Sequence, residues 1–198
     1  MVTGCAGRNG AHIVRTLAEM GHLVNALDHP TASFERVDNQ NNVNVFKADL
    51  LKPEDVKEAC RGMDVVLHLA EIRPPSSEAS LERTMVINTT GTRNLVEALE
   101  SSTALIFPSS VAVYGRTQGE EPPITVDHPC EAMDNYSRSK IAAEAVIRES
   151  FVPYAILSNC CICSRTLRIP IAETIKRRYN IGFPSAIVRA DNEVDKRR

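Results

Sequence analysis

The chain opens MVTGCAGRNG, and the three glycines at positions 4, 7 and 10 restrict its fold more than any other feature. Val2 and Thr3 read as the end of a strand, the glycines as a tight turn, and residues 8–21 as a helix with Ile13, Val14, Leu17 and Ala18 on its inner face. Glycines at such a turn reach backbone angles closed to other residues and admit a phosphate to the N–H groups. They also let helix and strand pack closely. The next apolar run, HLVNALD (22–28), closes on Asp28, eighteen residues after Gly10. A carboxylate there can accept hydrogen bonds from both ribose hydroxyls of an adenosine and would repel a 2′-phosphate. The bland alternative is a glycine-rich surface turn followed by an unrelated acid. Strand, turn, helix, strand and acid together favour a dinucleotide site, with NAD expected over NADP.

Strand-like and helix-like segments alternate along the rest of the chain. VNVFKADL (43–50), DVVLHLA (64–70), ALIFPSS (104–110) and YAILSNCCIC (154–163) read as buried strands. PEDVKEACRG (53–62), residues 81–102 (with Gly91 inside) and DNYSRSKIAAEAVIRES (134–150, with Asp134 as N-cap) read as helices. This rhythm predicts an α/β fold, a doubly wound and mostly parallel sheet of Rossmann type. Residues 73–80 and 115–134 are the two loop-like stretches, and both follow strand ends, where ligands sit in such sheets.

A net charge of −2 and a pI near 6.2 give no electrostatic case for nucleic acid. No apolar run approaches the roughly 18 residues of a membrane span, and no secretory leader is evident. Six cysteines without framework spacing read as reduced thiols in a cytoplasmic protein. Cys160, Cys161 and Cys163 fall in a strand without a second ligand pair, so no metal site is expected. Cys130 reads as a loop thiol, His68 as a packed and hydrogen-bonded histidine, and His12 and His22 as surface residues.

A second constellation lies in NYSRSK, where Tyr136 and Lys140 are four apart and share a helix face. Upstream, Ser109 and Ser110 stand at the carboxyl end of a strand. A tyrosine is a poor base near neutrality, and bringing its pKa from about 10 to about 7 takes roughly 4 kcal/mol. An ammonium about 4 Å away supplies some 1 kcal/mol in open water and about 4 in a partly buried site. Lys140, aided by a positive nicotinamide, is therefore expected to acidify Tyr136 only inside a closed cleft. An amphipathic helix with an ordinary exposed Tyr and Lys is the competing reading of this pair alone.

Taken together, TGCAGRNG (3–10), Asp28, ADL (48–50), HLA (68–70), INTTGTRNLVEA (87–98), PSSVAVYG (108–115) and YSRSK (136–140) resemble the extended short-chain dehydrogenase/reductase family, NAD-dependent epimerase/dehydratase group. The resemblance implies a catalytic set of Ser110, Tyr136 and Lys140, with Ser110 fitting the family position better than Ser109. It implies cofactor contacts from Gly4, Gly7, Arg8, Asn9, Gly10, Asp28, Asp49, Leu50, Leu69, Ala70, Asn88, Tyr136 and Lys140. Asp49 and Leu50 would meet the adenine, Leu69 and Ala70 would line the cleft, and Asn88 would order the central helix. The implied activity is hydride transfer at a hydroxyl-bearing carbon of a small molecule, a nucleotide sugar by family analogy, in a chain that pairs as a homodimer. A dehydrogenase or reductase acting on another small alcohol or ketone is the alternative. Val111 and Ala112 stand where a dedicated dehydratase would carry an Asp-Glu pair.

The pattern also departs from that family. Three residues before the glycine turn leave only a stub for the central strand, and LSNCCICS (157–164) replaces the usual Arg, Asn, Tyr, Gly run. The expected division is a cofactor domain over residues 1–165 and a truncated substrate region over 166–198. A fragment of an ordinary enzyme, or a degenerate homologue that binds nucleotide without turnover, would each account for this.

Overall fold

The computed structural model describes residues 1–37, 41–117, 119–120, 124–125 and 127–159. Its strands are β1 (Val2–Thr3), β2 (Val24–Asp28), β3 (Val43–Lys47), β4 (Val65–His68), β5 (Ala104–Ser110) and β6 (Tyr154–Asn159). They lie in the order β3-β2-β1-β4-β5-β6, and every pairing is parallel. The doubly wound sheet expected from the sequence is the one the chain adopts. In such a sheet the strand order reverses beside β1, and ligands bind outside the carboxyl ends of the strands at that reversal. The division at residue 165 and the cysteines at 160, 161 and 163 lie outside the described residues.

Successive side chains of a strand point to opposite faces, so each strand feeds two cores. Ala26, Leu67 and Ile106 face α1 (Arg8–Glu19), where they pack with Val2, Ala11 and Val14. Leu27, Val66, Leu105 and Phe107 face the other way, towards α2 (Pro53–Cys60), α4 (Gly91–Ala98) and α5 (Asn135–Arg148). Burying one such Leu or Phe side chain contributes about 2 kcal/mol. The apolar spacing of the sequence is thus used twice, once on each face.

The described β1 holds two residues, and hydrogen bonds from its neighbours continue its pairing. Val2 and Thr3 are fully buried, with Val2 in register with Ala26 on one side and Leu67 on the other. Leu67 N donates to Met1 O at 2.9 Å and Cys5 N to Leu27 O at 3.2 Å, extending the ladder at both ends. The Thr3 hydroxyl accepts from the N–H groups of Leu69 and Ala70, both at 3.1 Å, and so ties the chain leaving β4 to β1.

The helix expected over 81–102 is a rod in three parts: α3 (Leu81–Met85), one π turn (Val86–Thr90) and α4, which ends at Ala98. Turns of this kind recur at functional sites because they redirect side chains. Here the π turn brings Asn88 and Thr89 against α5. Helix α5 begins as expected at Asp134, whose carboxylate accepts from Ser137 N at 2.6 Å in a capping box. A cap of this kind stabilises a helix by about 1 kcal/mol.

Candidate active site

The glycine turn at the end of β1 is closed to side chains. Gly4 has a positive φ of 68°, and a Cβ there would lie 2.8 Å from Ala70 N. At Gly10 a Cβ would lie 2.1 Å from Gly4 O, whereas at Gly7, with φ −66°, the nearest atom is at 3.3 Å. Gly7 caps α1, Arg8 is exposed at its first position, and Asn9 is half-buried behind it. Leu69 and Ala70 pass beside Gly4 and form the neighbouring wall.

Asp28 reaches this turn from the end of β2. Its carboxylate accepts from Ala6 N and His29 N, each at 2.8 Å. Asp49 follows β3, accepts from Leu51 N at 2.9 Å and lies 3.9 Å from His29 Nε2. Leu50, also expected to meet an adenine, follows Asp49. Its side chain is 8% exposed and packs in the core over Gly91, and its carbonyl accepts from Asn94 Nδ2 at 2.9 Å.

Asn88 acts as a brace, in keeping with the ordering role expected of it. It is 3% exposed, its Oδ1 accepts from Ile72 N at 2.7 Å, and its Nδ2 donates to Ile72 O and Ser139 Oγ, each at 2.9 Å. One amide therefore locks the segment after β4 to the helix that carries Tyr136 and Lys140. Glu78, from the 73–80 loop, supports the same helix by accepting from the N–H groups of Asn135 and Tyr136 at 3.1 and 3.2 Å. A carboxylate at a helix N-terminus also meets the favourable end of the dipole.

Tyr136 and Lys140 share the inner face of α5, as their spacing predicts. Ser109 and Ser110 point to opposite sides of β5. The Ser109 hydroxyl is buried and bonds Glu144. The Ser110 hydroxyl accepts from Ala112 N at 3.2 Å and reaches the Tyr136 phenol. Ser110 is thus the serine on the tyrosine's side.

Glu71 completes the site, and nothing in the sequence pattern singled it out. Its Oε2 accepts from Lys140 Nζ at 2.9 Å and from the Tyr136 hydroxyl at 3.2 Å. The available signal was its place, one residue beyond the cleft wall and just past the carboxyl end of a parallel strand. Lys140 is 2% exposed; besides Glu71 it bonds Pro108 O at 2.7 Å and sits 3.9 Å over the Phe107 ring. Burying an ammonium costs several kcal/mol unless such partners surround it.

Tyr136 is pushed up from its ordinary value, first by burial and then by the charge and hydrogen bonding of Glu71; Arg73 and Ser110 act in the opposite direction. The Lys140 ammonium is engaged by the Glu71 carboxylate at 2.9 Å. Burial pulls the Lys140 ammonium down, and Glu71 and Glu144 oppose that.

His68 is buried and packed, as expected, and its surroundings fix its tautomer. Thr3 Oγ1 already accepts from two N–H groups, so it donates to His68 Nδ1 at 2.7 Å; Nε2 then donates to Thr92 Oγ1 at 2.9 Å. Thr92 passes its own proton to Asn88 O at 2.6 Å. Burial, and secondarily the charge of Lys140, lower the His68 pKa to about 3. His12 and His22 are half-buried, not fully on the surface as their positions flanking α1 suggested.

Among known proteins, a 3-beta-hydroxysteroid dehydrogenase of Mycolicibacterium neoaurum is 29% identical over 158 residues, covering 74% of this chain and 42% of that protein. UDP-glucose 4-epimerase 1 of Oryza sativa subsp. japonica is 30% identical over 165 residues, covering 75% of this chain and 46% of that protein. The chain spans about half the length of the curated relatives it matches. The crystal structure of a Thermus thermophilus UDP-glucose 4-epimerase complexed with NAD superposes with a TM-score of 0.67 at 29% identity, over 79% of this chain and 53% of that one. A match over residues 1–165 joins these likenesses to the glycine turn and the tyrosine helix: the chain belongs to the NAD dependent epimerase/dehydratase family.

Proposed function

We propose that this chain is the cofactor-binding and acid–base part of an NAD-dependent enzyme of the epimerase/dehydratase type, acting by hydride transfer at a hydroxyl-bearing carbon of a nucleotide sugar. The observation that carries the reading is the convergence of Ser110, Tyr136 and Lys140 at the carboxyl edge of the sheet, beside a glycine turn that excludes side chains. The residues present fit NAD. The turn leaves room for a pyrophosphate against the start of α1, and Asp28 suits an unphosphorylated adenosine ribose. Arg8, Asn9 and Asp49 border that half, while Leu69 and Ala70 border the nicotinamide half. When bound, the nicotinamide supplies the hydride acceptor and donor.

The chain's own residues do the rest. Tyr136 moves the proton of the substrate hydroxyl, Ser110 holds the same oxygen, and Lys140 orients the nicotinamide ribose. The cofactor and sugar readings are supported by NAD-bound and UDP-sugar-handling relatives of similar fold. A dehydrogenase of another small alcohol is the second reading, since a steroid dehydrogenase matches almost as well as the epimerase. We further infer a homodimer paired through α5 and a cytoplasmic location. The first would cover Phe151, 98% exposed beyond the end of α5. For the second, no helix among the described residues is long and apolar enough to cross a membrane.

Titration with NAD and NADP, followed by assays of UDP-sugar interconversion and of NADH release from an alcohol panel, tests these readings. Interconversion without net NADH identifies the epimerase, and accumulating NADH the dehydrogenase. Tyr136→Phe should lower either rate about a thousandfold. NAD binding with no Tyr136-dependent turnover would replace both with a nucleotide-binding role.

A further inference from the structure

We propose that Glu71 is a latch on the acid–base pair: its carboxylate bridges the Tyr136 hydroxyl and the Lys140 ammonium, and it must withdraw before Lys140 can hold a nicotinamide ribose and Tyr136 can release its proton. The inference rests on the reading of this cleft as an NAD site.

An ammonium has three N–H donors. Those of Lys140 meet Glu71 Oε2 at 2.9 Å, Pro108 O at 2.7 Å and the face of Phe107 at 3.9 Å. At 2% exposure no other direction is open. Pro108 O belongs to the backbone of β5 and Phe107 to the core, so neither yields. Glu71 sits at the end of a rotatable side chain that is 20% exposed. A ribose hydroxyl therefore reaches the ammonium only by replacing Glu71.

The tyrosine imposes the same requirement. A phenolate 3.2 Å from a carboxylate places two anions in contact, which strongly disfavours loss of the proton. One movement relieves both conditions, and the surroundings give that movement a direction. Arg73 lies at the rim, 68% exposed, with Nε 3.8 Å from Glu71 Oε1, and can hold the carboxylate outside. The backbone cannot follow, because Asn88 clamps Ile72 through both its N–H and its carbonyl.

The other charged and titratable neighbours do not duplicate this role. Ser110 faces Tyr136 from β5. Glu144, one turn beyond Lys140 on α5, is committed to Ser109 and Arg148, and His68, bonded to Thr3 and Thr92, is kept neutral first by burial and then by the charge of Lys140.

The test uses E71A and E71Q with two readouts. Calorimetry compares NAD with AMP, which fills the adenosine half and never reaches Lys140. E71A should bind NAD roughly tenfold more tightly than the wild type while AMP affinity stays the same. Carbon NMR of the tyrosine Cζ, with the Tyr136 signal assigned by its loss in Y136F, should show that group titrating at lower pH in both variants than in the wild type. Unchanged or weaker NAD binding in E71A, with AMP unaffected, would make Glu71 a cofactor support and overturn the latch. So would an unmoved tyrosine titration. If E71A does not fold, E71Q decides alone, because it keeps the size of the side chain and removes its charge. A wild-type chain that fails to bind NAD would defeat the functional reading, yet the tyrosine titration needs no nucleotide and still judges Glu71.

Discussion

The two ends of the cleft are built on different principles. The adenosine end is made largely of backbone: a glycine turn whose would-be Cβ atoms collide with main chain, and one carboxylate held by two N–H groups. The acid–base end is made of side chains from β4, β5, α5 and the segments after β4, several of them buried and ionisable. Steric exclusion is indifferent to pH, whereas buried ionisable groups are not. The first end should therefore fail through shape and the second through charge.

The largest effect expected of this contrast concerns His68. Its unfolded pKa is 6.5 and its folded value about 3, so between these the unfolded chain binds the extra proton. The stabilising contribution is complete above pH 6.5 and is lost as the pH falls towards 3, at roughly 1.4 kcal/mol per pH unit and about 5 kcal/mol in all. Denaturant melts across that range should show the slope, and His68→Gln should flatten it. An acid limb unchanged by His68→Gln would mean that the charge sensitivity resides elsewhere.

Next in size is Gly10→Ala, whose added Cβ would meet Gly4 O at 2.1 Å. It should cost roughly 3 kcal/mol in a thermal melt, with no dependence on pH. A near-neutral result would show that the turn can give way, and shape would no longer distinguish the two ends.

Asp28→Ala then tests chemistry at the adenosine end. Removing the carboxylate should narrow the preference for NAD over NADP about tenfold, measured as a ratio of dissociation constants. An unaltered ratio would remove Asp28 from cofactor selection.

The smallest effect sharpens the contrast within the turn itself. At Gly7 the φ is −66° and the nearest contact to a Cβ is 3.3 Å, so Gly7→Ala should cost less than about 1 kcal/mol. Equal damage from alanine at positions 7 and 10 would point to a requirement common to the motif, and a position-specific steric account would fail.

How much of this was legible follows from the same contrast. The doubly wound parallel sheet, the capped start of α5 at Asp134 and the pairing of Tyr136 with Lys140 are carried by periodicity and spacing within a few residues. The choice of Ser110 over Ser109 comes only from the resemblance to a family, and the structure places the two hydroxyls on opposite sides of β5. Glu71, the brace formed by Asn88 on Ile72 and the inward turn of Leu50 were not legible. Each depends on contacts with segments far away in the chain: Glu71 with residues 65 and 69 positions on, Asn88 with residues 16 and 51 positions away.

By itself the sequence determined the doubly wound sheet, the glycine turn and the shared helix face of Tyr136 and Lys140, since glycine spacing, apolar alternation and helical period act over short stretches. Only the tertiary structure decided the charge state of the acid–base pair. A tyrosine's acidity depends on which charges lie within a few ångströms and how much water screens them. Here burial first, and then the Glu71 carboxylate brought from another strand end, favour the protonated phenol.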